Sequence, residues 1–311
     1  MSNSPRQMTM KDWLLLVLLA VIWGGSFYFA RVAVLEIPPF TLVLSRVLLA
    51  AITLNLILQW KTTGLKHTRS LWFQFAMMGL LNNVIPHSLL FYGQQELGAG
   101  LASIINAMTP FWSLLIAHAF TQDERLSPSK IFGVIAGMAG VSIMIGGAVF
   151  EGQSVAVLAL IAVVGTTISY GIASVYGKKF ANVPPLETAR GQLTMSTIMI
   201  LPVALLIDQP WQLPMPSTLA IGSVILLALV CTAYAYILFF RILASAGAVN
   251  ISLVTLLVPA SAILLGSIFL NEVFLPRHII GLIFILIGLA AVDGRVVQYL
   301  RRVFKTADLK Q

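Results

Sequence analysis

Charge is what this chain has least of. Of its 311 residues, 10% are Asp, Glu, Lys or Arg and 59% are hydrophobic. A soluble domain carries roughly 25% charged residues, so there is too little charge here to cover a water-facing surface. The mean hydropathy of +0.94 points the same way. Cysteine is almost missing: Cys231 stands alone in an apolar run. One thiol excludes an internal disulfide and a thiolate metal cluster. The four histidines, His67, His87, His118 and His278, are scattered, and Glu36, Glu96, Glu151, Asp208 and Glu272 fall at loop edges. A membrane enzyme needs such groups clustered for metal or acid–base work. Neither an enzyme nor a bound cofactor or metal is therefore expected. Nucleotide chemistry is also lacking. The stretch from Gly171 to Lys179 has five residues between its glycines where a phosphate loop needs four, and Lys179 replaces the Ser/Thr. No TVGYG potassium-filter sequence occurs.

Long apolar runs are what is there. A bilayer core of about 30 Å needs roughly 20 apolar residues in helical form, because lipid satisfies no backbone hydrogen bonds. Ten runs qualify: 13–34, 40–60, 71–92, 100–120, 129–148, 155–176, 186–207, 217–240, 248–270 and 276–293. The first exceeds the roughly 7–15 residues of a signal-peptide core and reads as a retained helix. Trp13, Trp60, Trp72 and Trp211 sit at run ends, where tryptophan anchors at the lipid–water boundary. The predicted class is an all-α polytopic membrane protein.

The net charge of +8 sits in short connections and the tail, with no basic domain, so nucleic acid is not an expected partner. It reads as topology. With the N-terminus in the cytoplasm, fifteen of the 19 Lys and Arg fall on the cytoplasmic side, and Arg31 and Arg277 fall outside. Arg46 and Arg190 lie within runs. That asymmetry predicts an even number of spans in the cell inner membrane, with both termini cytoplasmic.

The chain also repeats itself. Glu124, Pro128, Gly133 and Gly140 match Glu272, Pro276, Gly281 and Gly288 at an offset of 148. Pro110 matches Pro259 and Gly98-Ala99 matches Gly247-Ala248 at 149, and Pro38-Pro39 matches Pro184-Pro185 at 146. Small insertions account for the drift, so this is one duplication. Each half holds five spans. Five is odd, so the second half enters the membrane inverted, a device of secondary transporters. The expected organisation is a cytoplasmic segment at 1–12, a first five-helix repeat at 13–150, a second, inverted one at 151–294, and a basic cytoplasmic tail at 295–311.

The duplicated unit, Trp23-Gly24, Arg46 and the Glu124/Pro128 and Glu272/Pro276 boundaries resemble the ten-helix EamA-type branch of the drug/metabolite transporter superfamily over roughly residues 12–295. The resemblance implies a secondary carrier, usually exporting amino acids or related metabolites, although some relatives import. The halves differ where Gln192 stands opposite Arg46 and Ser169 aligns with Trp23.

Polar groups inside spans are costly in lipid and mark cavities or interhelical bonds. Asn83, His87, Leu90 and Gln94 share one helical face beside Pro86, which can kink the third span. Thr232 and Tyr236 are their repeat equivalents. His87 suits proton coupling as well as a structural hydrogen bond. Asn106 pairs with Thr255 and Ser103 with Ser252 across the repeat, as cavity groups or as small polar glue. Arg46, two turns inside its span, needs a substrate anion or a structural partner. Arg190, one turn from an end, is expected to snorkel. Trp23 and Tyr170 would give an aromatic wall, or pack. Gly133, Gly137 and Gly140, with Gly281 and Gly288, are expected to pack helices tightly, as scaffold or homodimer surface. The predicted substrate site (Trp23, Arg46, Asn83, His87, Asn106, Tyr170, Thr232, Tyr236 and Thr255) lies between the halves. Spans one, three, four, six, eight and nine line it, with hinges near Pro86, Pro110 and Pro259. Export of amino acids or similar small polar metabolites is the first expectation. Uptake of a ring-bearing vitamin or nucleoside derivative is the second, and a non-transport membrane role, sensory, structural or enzymatic, the third.

Overall fold

The computed structural model describes residues 8–59, 68–121, 126–150, 154–251 and 253–293. Trp60, Glu124, Ser252 and the 295–311 tail lie outside them, as does most of the N-terminal segment. The described residues form ten helical units joined by short connections. They are α1 (Met10–Val34), α2 (Pro39–Leu58), α3 (Arg69–Gly79, a π turn Leu80–Val84, then Ile85–Gln94) and α4 (Ala99–Asn106 and Thr109–Phe120). Then come α5 (Pro128–Phe150), α6 (Ser154–Tyr176), α7 (Pro185–Val203 with a π turn Ala204–Asp208) and α8 (Thr218–Ala228, a π turn Leu229–Tyr234, then Ala235–Ala246). The last two are α9 (Ala248–Ile251 and Val254–Leu270) and α10 (Pro276–Asp293). Six spans are long and apolar enough to cross a membrane by length and composition alone, and shorter apolar helices accompany them. Ile52, Phe73, Ile161, Ile198, Leu264 and Ile283 are exposed on the outer surface, where lipid is the solvent.

Local chemistry sets the ends. Thr9 and Asp12 form a reciprocal capping box at α1, satisfying donors that a helix start leaves unpaired. Pro39, Pro128, Pro185 and Pro276 each open a helix, a position where the missing N–H costs nothing. The α8 helix begins at the capping hydroxyl of Ser217 and stops at Gly247, whose φ of +84° suits only glycine.

The helices pack as an inverted repeat demands. The α1 helix packs on α9, and its counterpart α6 on α4. Likewise α3 packs on α6 and α8 on α1, while α3 on α7 mirrors α8 on α2. Two pairs, α2–α7 and α5–α10, join a helix to its own equivalent. The α5–α10 crossing carries the symmetry to the atomic level. A Cβ added at Gly133 would meet the Gly288 carbonyl at 2.6 Å, and one at Gly288 the Gly133 carbonyl at 2.5 Å. A Cβ at Gly140 would meet the Gly281 carbonyl at 2.5 Å, and one at Gly281 the Gly140 carbonyl at 2.7 Å. The glycine stripe is therefore used inside the chain, where two backbones touch.

The same logic corrects the repeat alignment. Gly24 of α1 lies against Ser261 and Ala262 of α9, and Gly171 of α6 against Trp112 and Ser113 of α4. Those contacts make Gly171 the counterpart of Gly24. Tyr170, and not Ser169, then stands opposite Trp23. The aromatic–glycine pairs Trp23-Gly24 and Tyr170-Gly171 carry the same register in sequence.

Candidate functional site

A cavity of about 670 Å³ lies along the seam between the halves. Eight of the nine expected site residues line it: Trp23, Arg46, His87, Asn106, Tyr170, Thr232, Tyr236 and Thr255. The ninth, Asn83, does not. It is buried and its amide donates to Ser196 Oγ of α7 at 3.1 Å. Asn82 takes its place on the wall.

The π turns explain the exchange. A π turn holds more residues than an α turn, so across Leu80–Val84 the cavity-facing positions are five apart, Asn82 and His87, where α spacing would give Asn83 and His87. In α8 the lining residues Cys231 and Thr232 stand five and four residues before Tyr236 across Leu229–Tyr234, so both spacings reach the wall there. The two π turns on the cavity wall have different local causes. Pro86 has no N–H for the Asn82 carbonyl and its ring crowds it. In α8 the hydroxyl of Thr232 enters the ladder and donates to the Leu227 carbonyl at 2.8 Å, a disturbance known to bend helices.

Walls come from α2 and α7 as well as the expected helices. Arg46 of α2 is buried. Its Nε donates to Thr232 Oγ1 at 2.9 Å, and its guanidinium carbon lies 5.9 Å from the centre of the Phe91 ring. At the repeat-equivalent place, Gln192 of α7 accepts from the Asn82 amide at 3.1 Å, and the same amide donates to the Tyr236 hydroxyl at 3.1 Å. His87 stacks on Phe91 with centroids 5.9 Å apart and meets Tyr170 edge-on at 6.3 Å. Trp23 packs against Phe239 at 5.6 Å, and Tyr236 stacks on Phe240. Arg190 pairs with Glu187, one turn nearer the helix start, at 2.6 Å.

The cavity is polarised along its length. It runs to Gly177, Phe180, Ala181 and Val183, in the connection between α6 and α7 on one face. On the other face, carboxylates from one helix cap another. Glu36 accepts from the backbone N–H and hydroxyl of Ser217, both at 2.6 Å. These bonds hold its carboxyl below the usual carboxylate range. Asp208 accepts from the backbone N–H of Thr41 at 2.6 Å and from its hydroxyl at 2.9 Å. Glu272 accepts from the N–H groups of Ala99 at 2.5 Å and Gly100 at 3.0 Å. Arg31 donates to the carbonyls of Gln94 and Gln95 at the end of α3. Carboxylates on helix starts and a cation on a helix end complement the helix dipoles.

The helix interruptions lie near the expected hinge prolines Pro110 and Pro259 but not on them. The α4 helix is interrupted at Ala107–Met108, just ahead of Pro110, and α9 ahead of Val254, more than a turn before Pro259. Asn82, Gln192, Phe239 and Phe240 were missed by sequence reasoning. Gln192 carried a signal, its place opposite Arg46. Among the described residues, no group of three or more His, Cys, Asp or Glu could hold a metal ion.

Comparison with known proteins fits this architecture. The EamA-like transporter family pattern matches residues 11–146 and again residues 157–292, one match per half. The uncharacterized transporter YoaV of Bacillus subtilis (strain 168) is 24% identical over 88% of this chain and 94% of its own length. A probable amino-acid metabolite efflux pump of Escherichia coli (strain K12) is 25% identical over 91% of this chain and 94% of its own. The uncharacterized inner membrane transporter YedA of the same strain is 26% identical over 80% of this chain and 79% of its own. A solved crystal structure described simply as that of a protein superposes with a TM-score of 0.62 at 19% identity, covering 91% of this chain and 98% of that one. That likeness shows a shared fold. With two matched halves, ten helices and a seam cavity, the chain belongs to the EamA-like transporter family, within the drug/metabolite transporter superfamily.

Proposed function

We propose that this chain is a secondary carrier that works by alternating access and exports amino acids or related small metabolites across the cell inner membrane. The observation that carries the reading is the seam cavity, lined by both halves and reaching the α6–α7 connection on one face, while carboxylates hold helix starts on the other. The basic connections support a cytoplasmic position for the open face and for both termini. Residues 13–150 and 151–294 would then be the two rocking units. One related protein is named a probable amino-acid metabolite efflux pump, which supports the substrate class. The aromatic wall of Trp23, Tyr170, Tyr236, Phe239 and Phe240 suits an apolar or ring-bearing side chain.

Transport in membrane vesicles of both orientations tests the proposal. Export predicts uptake of a labelled amino acid into inside-out vesicles and growth protection in cells making more of the protein. Accumulation in right-side-out vesicles would instead favour import of a ring-bearing metabolite. Vesicles that move nothing in either orientation would sink the carrier reading.

Proton coupling is a separate reading, carried by His87. Its Nδ1 is buried without a partner. The ring is faced by Phe91 of its own helix and Tyr170 of α6, with the charge of Arg46 acting on it from α2. His87→Gln should flatten the pH dependence of transport; an unchanged profile would remove His87 from the coupling.

A further inference from the structure

Arg46 stands in a cavity that gives it no counter-charge. Among the described residues no Asp or Glu lines the cavity, and no ion pair reaches Arg46. Its Nε is committed to Thr232 Oγ1, which in turn donates to the Leu227 carbonyl. The Phe91 ring offers a weak electrostatic contact at 5.9 Å. Neither neighbour neutralises a guanidinium, and an unpaired buried charge is strongly unfavourable. What remains is the pair of terminal nitrogens, a planar fork suited to two-point recognition of a carboxylate. Near it, the Tyr236 hydroxyl accepts from Asn82, which leaves its own proton free for a further acceptor. The free donors beside Arg46 are thus its own terminal nitrogens and the Tyr236 hydroxyl.

Across the repeat, Gln192 replaces the second arginine that strict symmetry would supply. The site therefore carries one positive charge, not two. One guanidinium balances a monoanion; a phosphate dianion would leave charge over. At the interruption in α4, the side-chain oxygen of Asn106 is buried and unpartnered, an acceptor suited to an ammonium group. We propose that Arg46 is the residue that selects a carboxylate: the substrate docks its single carboxylate on the Arg46 terminal nitrogens, with Asn106 receiving its amine. This rests on the carrier reading above and narrows it to free amino acids and similar monocarboxylates, against amides, amines and neutral ring compounds.

The test compares L-leucine and L-phenylalanine with their carboxamides, which keep shape and lose the anion. Binding is read as ligand-induced thermal stabilisation of the purified protein in detergent, and transport as efflux from proteoliposomes. The free acids should bind at least tenfold more tightly than the amides to the wild-type protein, a comparison that needs no variant. Arg46→Gln should bring the acids down to the amides and leave the amides unchanged, and Arg46→Lys should restore part of the preference. Amides that bind as well as acids, no stabilisation by either acid, or an Arg46→Gln protein that loses both to the same degree would overturn the proposal. Acid-selective binding without any efflux would leave Arg46 as the anion site and remove the carrier reading instead.

Discussion

Gly140→Val is expected to destroy the folded protein, while Gly222→Ala leaves it intact. Gly140 and Gly281 meet at the α5–α10 crossing, where an added Cβ would stand 2.5 Å from a backbone carbonyl oxygen. A carbon approaches a carbonyl oxygen no closer than about 3.3 Å. The obstacle is backbone, so no rotamer change relieves it and the helices must part. Even one inserted methyl group in a well-packed interior costs about 1–3 kcal/mol. Gly140→Ala should lie in that range, and valine, with two further methyls, beyond it. Gly140→Ala and Gly281→Ala together should cost less than their sum, because the first substitution already separates the helices. Gly222 of α8 has nothing within 4 Å of its added Cβ. Thermal unfolding of the purified proteins checks the series. A Gly140→Val protein as stable as wild type would mean the crossing is not as close as described.

Glu272→Ala is expected to open the capped face. Its carboxylate serves α4 from a distance of 173 residues. Gly98, the residue before α4, has no side chain to cap it, and Glu272 supplies the missing acceptors to Ala99 and Gly100. The local geometry is built around that carboxylate. Asn271 turns the chain at φ +52°, and a Cβ at Gly98 or Gly266 would come within 2.5 Å of it. Hydrogen bonds to a charged group are worth about 1.5–3 kcal/mol. Losing this cap should shift the balance between closed and open forms of that face roughly 10- to 100-fold. Glu272→Gln, which keeps one acceptor oxygen, should shift it less. The chain carries its own reporter. Cys231 is the sole cysteine and lines the cavity, so a membrane-impermeant maleimide applied from the capped face should label Glu272→Ala faster than wild type. Equal labelling rates would show that Glu272 holds α4 without closing anything.

Much of this was legible because lipid imposes few solutions. The apolar runs, the charge asymmetry and the repeat together define ten helices and their order, and polar residues within spans mark the seam. Arg46, His87, Asn106 and Tyr236, which stand on the cavity wall, were legible as polar groups in apolar runs, the last two also through their repeat partners. Asn83 failed because α spacing was assumed across a π turn, and a π turn has no composition of its own. Of the two on the cavity wall, one arises from Pro86 and the other from the hydroxyl of Thr232 in a helix without proline. The capping of α4 by Glu272 was hidden for a different reason. It joins residues far apart in sequence, and the glycines that make room for it announce space without naming its occupant.

The glycine crossing has a consequence for how such a machine could move. A contact that the pseudo-twofold maps onto itself is indifferent to which half takes which role. Gly133 on Gly288 is the image of Gly140 on Gly281, so α5 and α10 can stay locked while the halves trade places. The caps at Glu36, Asp208 and Glu272 have no such immunity. In the proposed alternating access the crossing would be the fulcrum and the carboxylates the latches that turn about it.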